Sequence, residues 1–181
     1  SANGVAEEQN KDRTGSPDGS NTCGQCHTGG FYNPQMLITV ENLSGTEVQS
    51  YVPGETYSIT FNVSSFIPFP DVYGFQATAL LTDLNDAGTF MDPGVNVQIE
   101  EVNTMAIPSR HVVEHTAPSF ISSFEGDWVA PVSGSGDVTF YASGIAANGN
   151  NEPEGDNATS ATLTMTEADP DGMAEDAFSN I

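Results

Sequence analysis

The chain has 181 residues, and twenty-five Asp plus Glu against three Lys plus Arg give it a formal charge of −22. Repulsion on that scale excludes nucleic acid and anionic membrane surfaces as partners, and no run of eighteen apolar residues is present to form a helical bilayer span. The length suits one domain with tails, able to bury roughly 70% of the surface its unfolded form exposes.

Residues 1–21 hold Gly, Ser, Asp and Asn with Lys11 and Arg13 and show no apolar periodicity, which predicts a flexible, extended amino-terminal arm. Thr22-Cys23-Gly24-Gln25-Cys26-His27-Thr28 comes next, the only cysteine-bearing stretch. Two cysteines separated by two residues and followed by His form the c-type haem attachment signal. Each thiol can add across one vinyl group of the porphyrin, and His27 then faces the iron as proximal ligand. A Cys23–Cys26 disulfide and a zinc site are the alternatives, but neither explains His27, and two cysteines with two further histidines barely supply four zinc ligands. A redox Cys-x-x-Cys would follow a strand and open a helix, whereas turn-forming residues stand on both sides here. The expected cofactor is one covalently attached haem c. Haem c is attached after export, so a periplasmic or extracellular location follows from the chemistry, although no leader is visible at Ser1 and the chain reads as mature.

Thr28-Gly29-Gly30 and Asn33-Pro34 break any helix after His27. From Met36 onward the pattern is that of strands. Leu37–Val40 and Tyr57–Val63 come first, separated by the turn Val52-Pro53-Gly54-Glu55. Further runs are Tyr73–Leu81, Val95–Glu100, His111–Thr116, Phe120–Phe124, Asp127–Ala130, Val138–Ala142 and Ala161–Thr166. Short strands at regular spacing predict an all-β fold, an immunoglobulin-like antiparallel β-sandwich with an amino-terminal haem-attachment arm. The haem-bearing domain is expected over 22–166 and an acidic, mobile tail over 167–181. Trp128 is expected in the core.

Ser64–Asp71 contains Phe66-Ile67-Pro68-Phe69-Pro70, whose prolines forbid central ladder pairing. Phe66 and Phe69 are read either as core cover or as one wall of a haem pocket. Ala146–Asp156 reads as a solvated acidic turn; calcium is the alternative, but the carboxylate spacing matches no defined loop.

Several of these stretches together resemble a family. Cys-Gly-Gln-Cys-His, Tyr-Val-Pro-Gly-Glu-Thr-Tyr (51–57), Gly-Phe-Gln (74–76), Val-Glu-His-Thr (113–116), Trp128 with its Ala-Pro, and Val-Thr-Phe-Tyr-Ala-Ser-Gly-Ile-Ala-Ala-Asn-Gly-Asn (138–150) are similar to the bacterial choice-of-anchor V or reeler-like domain. The resemblance covers most of residues 20–166. It implies an immunoglobulin-like sandwich exposed outside the cell, in agreement with the strand reading, and leaves function to the haem site.

The second axial ligand has several candidates. His111 and His115 lie four apart on a predicted strand, so their side chains share a face but stand about 13 Å apart at roughly 3.3 Å per residue, and only one reaches a given iron. The family resemblance points to His115, which falls on the Glu-His-Thr motif. His111, a methionine (Met36, Met91, Met105, Met165 or Met173) and an open site remain alternatives. Arg110, the only basic residue beyond the arm, is a candidate partner for a haem propionate.

The function expected is single-electron transfer outside the cytoplasm by a monohaem c-type cytochrome with His27 and His115 as iron ligands, not an enzyme. A basic redox protein is the partner that the charge would steer inward, although such acidity serves as often for solubility in salty surroundings. A haem-based gas binder or sensor and an adhesive or structural surface domain with a stabilising haem are the alternatives.

Overall fold

The computed structural model describes residues 2–19, 21–65, 69–107 and 109–168. One short helix, α1 (Val5–Gln9), and a 3-10 turn at Cys23–Gln25 precede a series of eleven strands. The strands are β1 (Thr28–Gly29), β2 (Gln35–Glu41), β3 (Ser50–Tyr51), β4 (Thr56–Ser64), β5 (Val72–Leu81), β6 (Thr89–Met91), β7 (Val97–Val102), β8 (Arg110–His115), β9 (Ser123–Val129), β10 (Val138–Ala147) and β11 (Glu154–Glu167). They form two facing sheets. The larger runs β1-β11-β10-β5-β8-β7, with β3 also paired to β11, and the smaller runs β2-β4-β9-β6. Every ladder is antiparallel except the two made by the two-residue strands β1 and β3, which lie parallel to β11.

The expected alternation drives this architecture. β4 reads half-buried and buried by turns, with Tyr57, Ile59, Phe61 and Val63 inward. Its partners bring Ile38, Val40, Phe124 and Trp128 to the same interior, and β5 and β10 face them with Phe75, Ala77, Ala79, Val138, Phe140 and Ala142. Trp128 is fully buried, 4.9 Å from Phe140 and 5.8 Å from Tyr51 in edge-on contacts, and its indole N–H donates to the Ala87 carbonyl at 2.8 Å. Phe75 stacks between Phe61 at 5.3 Å and Phe124 at 4.3 Å. Truncating such an aromatic costs about 3–5 kcal/mol.

Three differences from the sequence reading have physical causes. The runs expected at Phe120–Phe124 and Asp127–Ala130 are one strand, β9, because Gly126 pairs in register with Ile59 instead of turning. β11 begins at Glu154, so the loop expected over 146–156 contracts to 148–153 and Asp156 becomes a strand residue. The arm over 1–21 is packed rather than free. Ala6 is buried against Val102 and Val112, and Asp12, Thr14 and Ser16 of the same arm are buried in a hydrogen-bonded group.

The arm is fastened by charge. Glu114 of β8 is fully buried, and its carboxylate accepts from the Ala6 N–H at 2.9 Å, the Glu7 N–H at 3.0 Å and the Gln76 side-chain amide at 2.9 Å. Further along, the Arg110 guanidinium pairs with Asp12 at 2.7 Å and donates to Ser16 Oγ and the Pro17 carbonyl. A low-periodicity segment thus gains order from two polar anchors on β8. No apolar pattern announces them.

Candidate functional site

The Cys23–His27 stretch is wound into a single turn. Thr22 caps it by accepting the Gly24 N–H at 3.3 Å, and the Cys26 and His27 amides both donate to the Cys23 carbonyl, at 3.2 and 3.1 Å. Residues three and four apart on one turn share a face, so Cys23, Cys26 and His27 are presented together. The Cys23 amide donates to Ser143 Oγ of β10, which seats the turn on the larger sheet. Both thiols are free, Cys26 exposed and Cys23 half-buried. Burial pushes the Cys23 thiol up from its ordinary value, and the hydrogen bond to Ser143 and the nearby Arg13 only partly oppose it.

The next three residues hold His27 in place. Thr28 and Gly29 pair in parallel with Glu154 and Asp156, the Thr28 amide donates to the Pro153 carbonyl and the Gly30 amide to the Asp156 carbonyl. This lacing brings the His27 ring to the Asp156 carboxylate, with Nδ1 and Oδ2 2.8 Å apart. An ionised carboxylate only accepts, so Nδ1 carries the proton and Nε2 holds the lone pair. Asp156 is 2% exposed, and its second oxygen accepts the Asn148 amide at 2.9 Å.

His115 ends β8 where the β5 ladder stops, since the pairing of these strands covers Gln76↔Glu114 and Ala77↔Val113. Its imidazole takes over at Phe75, with Nδ1 3.1 Å from the amide nitrogen and 3.0 Å from the carbonyl oxygen. One nitrogen serves one of these at a time. A proton on Nδ1 donates to the carbonyl and leaves the lone pair on Nε2; a proton on Nε2 lets Nδ1 accept the amide. The ring lies against Gly74 and is 9% exposed.

His27 and His115 line the same cavity. It has a volume of about 440 Å³, within the range usual for ligand sites, and Cys26 and Asp156 join them in its lining. Val72, Tyr73, Pro118, Ile145 and Ala147 form an apolar wall, and the 149–153 loop closes another side. A smaller space of about 80 Å³ shares Gln9, Cys26, His27, His115 and Ile145 with it and adds Cys23, Arg13, Gly74 and Glu114. The packed arm therefore supplies part of the lining, through Ala2, Val5, Gln9 and Arg13.

Other candidates lie elsewhere. His111 has a 54% exposed side chain and pairs with Asp86 at 2.7 Å, next to a separate hollow lined by Ala79, Gly88 and Ile99. Arg110 is 3% exposed, does not line the cavity and turns Nη1 to Asp12, so the propionate role assigned to it is corrected: its guanidinium faces the arm. Phe69 is 79% exposed and does not line the cavity, which corrects its reading as a pocket wall, and Phe66 lies outside the described residues. Of the methionines, Met165 is core, Met36 packs against it, and Met91 and Met105 are exposed; none lines the cavity, and Met173 lies outside the described residues. In the 148–153 loop, the Asn148 and Asn150 side chains accept backbone amides two residues on, as turn formers do. Among the described residues no group of three or more His, Cys, Asp or Glu side chains is disposed to hold a metal ion by itself.

Sequence reasoning missed Asp156, Gly74 and Arg13. Asp156 sits in an acidic run and differs from its neighbours only by pairing with the residues after His27. Gly74 stands in the quoted Gly-Phe-Gln motif, a signal that could have marked a close approach. Arg13 was absorbed into the arm.

No helix among the described residues is long and apolar enough to cross a membrane. A comparison with curated proteins finds no match. Among solved structures, the Reelin-N domain of F-spondin matches with a TM-score of 0.49 at 22% identity, covering 78% of this chain and 89% of that one. The human F-spondin reeler domain matches with a TM-score of 0.48 at 21% identity, over 78% and 92%. The Reeler domain family model matches residues 28–148, beginning just after His27 and ending before Asp156. It takes in Tyr73, Gly74 and His115, so the chain belongs to the Reeler domain family, and the cysteine turn and its carboxylate are joined to that domain from either side.

Proposed function

We propose that this Reeler-family sandwich is a monohaem c-type cytochrome that passes single electrons outside the cytoplasm, with His27 and His115 as its two iron ligands. One observation carries the reading: Cys26 and His27 of the Cys23–His27 turn line the same cavity as His115, a strand residue 88 positions away. The donor set fits such a group, with two thiols and one imidazole on one turn, a second imidazole in the same cavity and an apolar wall beside them.

Haem c, when bound, supplies a one-electron iron couple. The chain's own contribution is tethering, orientation and exclusion of water. Cys23 and Cys26 would each add S–H across a vinyl double bond to give a thioether, a step needing no other reagent. His27 offers Nε2 because Asp156 holds its Nδ1 proton. His115 offers Nε2 when Nδ1 donates to the Phe75 carbonyl. Val72, Tyr73, Pro118 and Ile145 would give the bound group an apolar surround that excludes water. The charge of −22 favours a basic redox partner, whose approach salt would slow.

The family match leaves out residues 23–27, which favours a second reading, an extracellular interaction domain whose haem, if any, serves stability. A pyridine haemochrome spectrum after expression with haem maturation machinery decides. A c-type band, with a low-spin spectrum in both redox states, is expected. Its absence would remove the cytochrome reading and leave the interaction domain.

A further inference from the structure

Among the described residues only three carboxylates are buried: Asp12, Glu114 and Asp156. The first is neutralised by Arg110, and the second accepts helix amides and glutamine side chains. One oxygen of Asp156 takes the Nδ1 proton of His27 at 2.8 Å, and the other takes the Asn148 amide at 2.9 Å. Burying a carboxylate this way costs free energy unless the partner returns it. A histidine that donates its Nδ1 proton to the carboxylate and keeps Nε2 free for a metal ion is such a partner.

We propose that Asp156 is a positioning residue that fixes the ring of His27 and sets its donor strength toward the iron. The proposal rests on the haem reading above. A carboxylate accepting the Nδ1 proton polarises the imidazole and moves electron density to Nε2, which favours the more positive iron state and lowers the reduction potential. The same bond stops the ring from rotating about its Cβ–Cγ axis. The grip is rigid because Asp156 is itself in a strand, paired with Gly29 and fixed by Gly30. Through Asn148 the carboxylate also ties the His27 ring to the 149–153 loop that lines the cavity.

The test compares reduction potentials of purified holoprotein for the wild type, Asp156→Asn, Asp156→Glu and Asp137→Asn. Asp137 is exposed at the far end of β10, so its variant removes the same charge without touching His27. Asp156→Asn should shift the potential upward by clearly more than Asp137→Asn, and Asp156→Glu should recover part of the shift. Equal shifts in the two Asn variants would overturn the proposal. Should Asp156→Asn fail to fold, nuclear magnetic resonance of the reduced wild-type holoprotein decides. A His27 Nδ1 proton that exchanges slowly with solvent supports the bond, and one that exchanges freely overturns it. The two levels separate cleanly. A wild type without a c-type band brings down the haem reading and this inference together, whereas a c-type band with an unmoved potential removes only the role of Asp156.

Discussion

The imidazole of His115 occupies the space that a side chain at Gly74 would fill: a Cβ built there would lie 2.9 Å from Cε1 and 3.1 Å from Nδ1. Neighbouring strands therefore depend on a missing methyl to let the ring lie against β5. Gly74→Ala should push the ring off the Phe75 backbone at a folding cost of about 1–3 kcal/mol. The expected outcome is a folded holoprotein with a high-spin component and new affinity for carbon monoxide. An absorption spectrum identical to wild type would show that the ring position does not depend on Gly74.

The two histidines of β8 separate ligand from bystander. His115→Ala should open the iron, giving a high-spin spectrum that responds to carbon monoxide. His111→Ala removes only a half-exposed ring paired with Asp86 and should leave the low-spin spectrum intact, with stability changed by less than about 1 kcal/mol. The reverse pattern would transfer the role to His111, and a high-spin wild type that binds carbon monoxide readily would favour a gas-binding function.

Much of this was legible in residues that alternate or break. Tyr57–Val63 announces a strand because an inward face every second residue leaves a periodic trace, and Trp128 is core as a lone Trp in a sandwich usually is. The Cys-x-x-Cys-His spacing named its own geometry, a single turn presenting all three side chains. Contacts between polar residues far apart in the chain left no such trace. The Glu114 carboxylate under Ala6 and the Arg110–Asp12 pair span 108 and 98 positions, and the arm looked free because its order is borrowed from them. Arg110 was misread for the same reason: a basic residue next to a candidate ligand suggests a propionate, and only the fold shows that the guanidinium points to the arm. Two-residue strands such as β1 are too short for any period, so the pairing that brings Asp156 to His27 was invisible as well.

The arm offers a direct measure of that borrowed order. Glu114→Ala leaves the Ala6 and Glu7 amides and the Gln76 side chain without their carboxylate, for a loss on the order of 3 kcal/mol. Lys11 and Arg13 are then the informative trypsin sites, since Arg110 is the only other basic residue. Limited proteolysis should leave the wild-type arm intact and cut the variant after Lys11 or Arg13. Equal cutting of both proteins would mean that Glu114 does not hold the arm.

Alkaline pH should weaken the opposite end of the sandwich through Tyr51. Its ring is fully buried against Trp128 and its hydroxyl donates to the Gly136 carbonyl at 2.6 Å. Burial first, then the nearby Glu167 carboxylate, pushes the phenol from 10.0 up to about 12. Because the folded value lies above the unfolded one, the folded state holds its proton longer, and its contribution is complete below pH 10. It is lost as pH rises from 10 through about 12, where the unfolded chain ionises and the folded one resists. Glu167 stays in place throughout, its carboxylate held below its usual range chiefly by the Gly134 and Gly136 amides. Chemical denaturation at stepped pH should therefore show wild-type stability falling across that window. Tyr51→Phe should lack this component while losing the hydroxyl's bond at neutral pH, at a cost of about 1 kcal/mol. Parallel pH profiles for the two proteins would place the alkaline titration on another group.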